Sequence, residues 1–178
     1  MNKKFISLAV ALGLLFAGLG IYAGNRQTTP KPPADKSVAQ LMAQQFKDSD
    51  GKPQAMAQWQ GKFLVVNFWA TWCAPCVQEM PELSTMQQQF KSKEIQILGL
   101  GIDSPTNIAD FAKKYKISYP LVAAGMEGSE LSRQLGNAGG GLPFTVLING
   151  EGKVVKSYLG RLKMDELHTD IAKYSLEK

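Results

Sequence analysis

The stretch from Phe63 to Cys76, FLVVNFWATWCAPC, constrains the fold more than any other part of the chain. Its first half is apolar and β-favouring and reads as a buried strand. A helical pattern starts directly after Cys73. The chain's two cysteines, Cys73 and Cys76, both fall at this junction. A Cys-x-x-Cys between a strand and a helix is a redox motif with a physical basis. The helix start presents unpaired N–H groups and the positive end of a dipole, which favour a thiolate at Cys73. Cys76, one turn on, is expected to face inward and be less exposed, placed to attack Cys73 when Cys73 carries a mixed disulfide. Pro75 has no N–H to lose near a helix start.

Other readings of the pair are weaker. Two cysteines can simply pack in a core. A closed zinc site needs four ligands, and two cysteines with the distant His168 do not supply them. The chain has 178 residues, 44% of them hydrophobic and 20% charged, enough for one globular domain with an appendage. Its net charge of +5 is spread along the chain, with no basic cluster interleaved with aromatics, so a nucleic-acid partner is not expected. No cofactor or metal is implied, and no segment suggests dimerisation, so a monomer is expected.

The N-terminus speaks to location. After Lys3 and Lys4, residues 5–23 carry only Ser7 and the Tyr22 hydroxyl as polar side chains. The length is near the roughly 20 residues a spanning helix needs, and Tyr22 suits an interface. A cleaved signal peptide is the competing reading of residues 1–24, with only a weak cleavage site around Tyr22-Ala23-Gly24. Lys3 and Lys4 put the N-terminus in the cytoplasm, and either reading exports the rest of the chain. Residues 25–37, rich in proline, read as an extended tether. The globular domain is expected over 38–178.

Residues 38–60 read as a hairpin-like cap, with a turn at Asp48-Ser-Asp-Gly51. Strand 63–69 then leads into a helix over 74–91 that contains Pro81, which removes a backbone bond and is expected to bend the axis. A strand is expected over Ile95–Ile102. Ser104-Pro105 caps a helix with Ile108, Phe111, Ala112 and Tyr115 on one face. Next come a short strand over Tyr119–Ala123, a helix over Glu127–Leu135 and a strand over Phe144–Ile148. Asn149-Gly-Glu-Gly152 is a hairpin turn to a strand over Lys153–Leu159, and a helix over Met164–Tyr174 closes the chain. The order implies an α/β fold with a mixed sheet.

The run Val66–Pro81, VNFWATWCAPCVQEMP, resembles the TlpA/ResA-like branch of thioredoxin-fold proteins, and the resemblance extends from about Phe46 to about Leu167. It implies a thioredoxin fold with a mixed central sheet, an N-terminal strand extension and a central strand–helix insertion at roughly 104–136. It also implies a membrane-anchored thiol–disulfide oxidoreductase acting outside the cytoplasm. Leu142-Pro143, after the glycines 139–141, resembles the cis-proline loop of these folds, where backbone beside the disulfide binds an extended substrate segment. Trp72 would belong to the exposed contact surface, and Trp69 would pack. Thioredoxins carry an Asp where Asn67 stands, and Asn cannot relay a proton. Glu79, three residues beyond Cys76, matches a family glutamate that tunes the thiols. Burial would raise its pKa and suit it as a general base, although an exposed helix glutamate is the ordinary alternative.

The resemblance favours a reductase. Cys73 attacks a protein disulfide, Cys76 with Glu79 releases the product, and a membrane electron donor re-reduces the pair. Cytochrome c precursors or other metal-site proteins are the implied substrates, on the periplasmic side of the bacterial inner membrane. Residues 5–23 anchor the domain there, or leave it soluble once cleaved. The alternatives are a disulfide donor to exported proteins, with the same motif at a higher potential, and a copper metallochaperone, for which the Cys-x-x-Cys spacing is short.

Overall fold

A computed structural model of the chain describes residues 33–90 and 94–176. The expected anchor over 5–23 and most of the tether lie outside them. Among the described residues, no helix is long and apolar enough to cross a membrane.

In chain order the elements are α1 (Pro33–Met42), β1 (Gln45–Asp48), β2 (Pro53–Ala55), a 3-10 turn (Met56–Trp59), β3 (Phe63–Trp69) and α2 (Ala74–Gln89). Then come β4 (Ile95–Gly101), α3 (Pro105–Tyr115), β5 (Leu121–Ala123), α4 (Gly125–Gln134), β6 (Phe144–Ile148), β7 (Val154–Leu159) and α5 (Met164–Tyr174). The strands form one seven-stranded sheet in the order β2-β1-β5-β4-β3-β6-β7. β4 runs parallel to β3 and β5 parallel to β4, whereas β6 is antiparallel to β3 and β7 antiparallel to β6. The sheet is therefore mixed, with β3 near its centre.

Every residue of β3 is buried. That is why its sequence is continuously apolar rather than alternating: the strand is covered on both faces. Phe63, Val65 and Trp69 face a core built with Met80 and Leu83 of α2, Ile108 and Phe111 of α3, and Leu167 and Ile171 of α5. Leu64, Val66 and Phe68 face a second core, with Val38 and Leu41 of α1 and Leu131 of α4. The alternation places Asn67 on the α2 face.

Beside Asn67 in the register stands Gly99 of β4. A Cβ there would come within 2.4 Å of Leu121 Cδ2 and 3.1 Å of the Trp69 indole nitrogen, so the absent side chain is what lets these groups pack. At the Asn149–Gly152 turn, Asn149 Oδ1 accepts from the N–H groups of Glu151 and Lys153, and Gly152 takes the positive φ of 75°.

Most expected elements stand within a few residues, and β3, β6 and α5 have the expected bounds. The tether differs. Residues 33–37, read as extended, are the start of α1, and the Ser37 hydroxyl donates to the Gln134 carbonyl of α4 at 2.8 Å. The hairpin read over 38–60 is confined to β1 and β2, and β1 pairs with β5, so it widens the sheet instead of capping it. The strand expected from Tyr119 begins at Leu121, and Tyr119 is a core residue. The helix expected over Glu127–Leu135 begins at Gly125, and α2 ends at Gln89.

Candidate active site

The end of β3 delivers the chain to Ala70-Thr71-Trp72-Cys73, and α2 starts at Ala74. Cys73 is the N-cap of α2: its Sγ accepts from the Cys76 N–H at 3.4 Å, and Pro75 occupies the first turn. A sulfur that caps a helix sits at the positive end of the dipole, where a thiolate is favoured. Cys73 and Cys76 form a disulfide, with Cα atoms 5.3 Å apart. Cys73 is 6% exposed and Cys76 fully buried, the order of exposure expected from the sequence. Trp72, between the strand and the pair, is 71% exposed. Trp69 is buried, its ring centroid 4.7 Å from that of Phe111.

Two anchors hold this loop. The Asp103 carboxylate, just beyond β4, accepts from both the backbone N–H and the hydroxyl of Thr71. It also accepts from the Ser104 N–H and the Asn107 side chain, each at 2.7 Å. Partial burial alone would raise its pKa, but the hydrogen bonds from Thr71, Asn107 and Ser104 outweigh that and hold the carboxyl below its ordinary value. At the start of α2 the Val77 N–H donates to the Cys73 carbonyl at 3.1 Å.

Pro143 precedes β6 at the same end of the sheet, because Phe144 pairs with Phe68 across the β3–β6 ladder. The Leu142–Pro143 peptide is cis, as the resemblance implied. Pro143 is buried, its carbonyl accepting from the Gly160 N–H at 2.9 Å, and Leu142 is half-buried against both cores. Buried Asn137 steadies the glycine loop before them by donating to the Gly141 carbonyl at 2.9 Å.

Glu79 lies one turn beyond Cys76 and has no exposed surface, so it is not an ordinary helix glutamate. Its Oε1 accepts from Asn67 Nδ2 and its Oε2 from the Leu162 N–H, each at 2.8 Å. Desolvation raises its pKa to about 7, against the opposing pull of Leu162, Asn67 and the Arg161 charge. A buried carboxyl that changes charge near neutrality can accept and return a proton. Tyr119 is also buried; desolvation and the neighbouring Glu79 charge lift its phenol well above the ordinary value.

A helix-capping sulfur, a buried second sulfur and a buried carboxyl titrating near neutrality, at one end of the central strands of a mixed sheet, can carry out thiol–disulfide exchange. The chain matches the Redoxin family over residues 33–174. It belongs to that family. Thiol–disulfide oxidoreductase ResA of Bacillus subtilis (strain 168) is 34% identical over 94% of this chain and 93% of its own length. ResA of Geobacillus thermodenitrificans (strain NG80-2) is 31% identical over 93% of each. Among solved structures, a thioredoxin-family thiol:disulfide interchange protein of Chlorobium tepidum TLS superposes with a TM-score of 0.64 at 28% identity. It covers 74% of this chain and 92% of its own. This Redoxin member is thus a thioredoxin-fold thiol–disulfide oxidoreductase of the ResA-like kind.

The structure places Cys73 at the N-cap of α2, Cys76 and Glu79 within its first two turns, and Leu142 and Pro143 at the same sheet end. Sequence reasoning does not single out Asp103, Asn137, Thr145 or Leu162. A usable signal exists for Asp103 alone, an acidic residue directly before the Ser104-Pro105 helix start. His168 is exposed and stacks on Phe90 with ring centroids 5.8 Å apart. Among the described residues no group of three or more His, Cys, Asp or Glu is placed to hold a metal ion.

Proposed function

We propose that the Cys73–Cys76 pair works outside the cytoplasm as a reductase of protein disulfides. The observation that carries this reading is the fully buried Glu79 one turn behind the fully buried Cys76. It supplies an internal base for the release of reduced product.

The Cys73 thiolate attacks one sulfur of a substrate disulfide; that S–S bond breaks, and the other substrate sulfur leaves as thiolate and takes up a proton. Glu79 accepts the Cys76 thiol proton, and the Cys76 thiolate attacks Cys73 Sγ. The Cys73–Cys76 bond forms, and the second substrate sulfur departs with the proton returned by Glu79. Two electrons have passed to the substrate, and a membrane electron donor restores the dithiol. Exposed Trp72, half-buried Leu142 and the backbone beside buried Pro143 receive an extended segment of the substrate. Cytochrome c precursors and other proteins whose cysteines must be reduced before they take a metal group fit this chemistry. The protein acts as a monomer on the periplasmic side of the inner membrane. Residues 5–23 after Lys3-Lys4 support that location, as an anchor or as a cleaved signal.

The equilibrium reduction potential of the pair tests the direction. It can be followed by tryptophan fluorescence in thiol buffers at neutral pH. A value more negative than about −220 mV is expected. A value above about −150 mV would overturn the reductase reading and make the protein a disulfide donor.

A further inference from the structure

Glu79 can act as a base only if it can lose its proton, and its burial opposes that. A carboxyl with no exposed surface stays neutral unless hydrogen bonds favour the ion. Among the described residues, two groups donate to the carboxylate. The Leu162 N–H donates to Oε2, and one N–H of the Asn67 amide donates to Oε1. The second N–H of that amide donates to Thr145 Oγ1 at 3.0 Å. Both hydrogens of Asn67 are therefore committed, with its nitrogen turned to the carboxylate. The consequence falls on Asn67 Oδ1, which is buried with no partner among the described residues. The fold tolerates an unpaired acceptor while the amide nitrogen aims one donor at Glu79.

The backbone makes this arrangement stiff. Asn67 and Thr145 stand directly opposite each other in the antiparallel β3–β6 register, each buried. Both point to the α2 face, as the strand alternation requires. Neither titrates, so neither competes for the proton. Among the described residues, the charged and titratable groups around Glu79 are Glu82 on α2, the cysteine pair at its start, Arg161 before α5, and the Tyr119 phenol before β5. Arg161 is half exposed and already paired with Glu82 at 2.8 Å, so its charge is shared and screened.

We propose that Asn67 and Thr145 form a cross-strand clamp that keeps buried Glu79 ionisable, and that both are positioning residues for its proton transfer. The role in turnover rests on the proposed function of Glu79; the clamp itself does not. Without Asn67 the carboxylate loses a charge-assisted donor and the proton is held more tightly. Without the Thr145 hydroxyl, one amide hydrogen is buried unpaired in the ionised arrangement, which shifts the balance the same way by less.

The test follows the Glu79 carboxyl carbon by NMR against pH in the disulfide form, where neither cysteine titrates. With Asn67→Leu the midpoint is expected to rise by about one pH unit or more. With Thr145→Val it rises by less, and with Thr145→Ser it stays at the wild-type value. A midpoint in either Asn67→Leu or Thr145→Val that is unchanged or lower would overturn the clamp. If Asn67→Leu does not fold, Thr145→Val against Thr145→Ser decides alone. A separate measurement with Glu79→Gln, the rate of release of a mixed disulfide, bears on the base. An unaffected rate there would remove the proposed role of Glu79 while leaving the clamp standing.

Discussion

The burial of Glu79 links its protonation to the stability of the fold. Its pKa rises from an ordinary 4.5 to about 7 on folding, so over that interval the folded state binds more protons than the unfolded chain. Stability contributed by the neutral carboxyl is therefore fully present below about pH 4.5 and is lost as pH rises through about 7, a span of order 3 kcal/mol. Denaturant midpoints of the oxidised protein should fall between these pH values, and those of Glu79→Gln should stay nearly flat. Equal slopes in the two proteins would show that Glu79 does not carry the effect. The two sulfurs are distinguishable in the same direct way. Cys76→Ser should accumulate a mixed disulfide through Cys73 when offered a disulfide-bonded protein, and Cys73→Ser should not; trapping by Cys73→Ser, seen on a non-reducing gel, would reverse the assigned roles. Cys73, Cys76 and Glu79 are legible in the sequence because their spacing is local. Thr145 and Leu162 are not, since they reach Asn67 and Glu79 across 78 and 83 residues of chain. Only the register of β6 and the path of the loop into α5 bring them there.

At the scale of elements, the active-site loop is fixed less by its own residues than by the end of β4. Asp103 joins the Thr71 backbone and hydroxyl to the first turn of α3, so the loop is tied to the inserted helix. Asp103→Ala should lower stability by about 1–3 kcal/mol, since several donors lose their acceptor at a partly buried position. It should also alter the fluorescence of Trp72, whose neighbour Thr71 is released. A urea titration read by tryptophan emission checks both, and wild-type values for the two would dismiss the anchor. Elements with hard chemical borders are readable from the chain. β3 stops at the cysteine turn, β6 starts after Pro143, and α3 starts at the Ser104 cap, whose Oγ accepts from the Asn107 N–H at 3.2 Å. α1 is not. Its sequence opens at a proline that also suits a tether, and Val38 and Leu41, its apolar pair in the second core, make a short stripe.

At the scale of the whole molecule, the sheet separates two cores with different duties. The disulfide and its neighbours pack with α2, α3 and α5 on one face, while α1 and α4 cover the other. Leu41 of α1 is fully buried in the second core beneath β3. Removing its side chain leaves a cavity on the face away from the cysteines, and a change of this kind costs about 2–5 kcal/mol. The Ser37 hydroxyl ties α1 to Gln134 of α4, on that same face, and β3 itself stands between α1 and the cysteines. Leu41→Ala should therefore lower the denaturation midpoint of both redox forms by the same amount. The reduction potential measures the difference between those forms, so equal losses leave it at the wild-type value. A potential that moved with Leu41→Ala would mean that the two faces are coupled through β3, and that the cover supplied by α1 belongs to the redox machinery as well as to the fold.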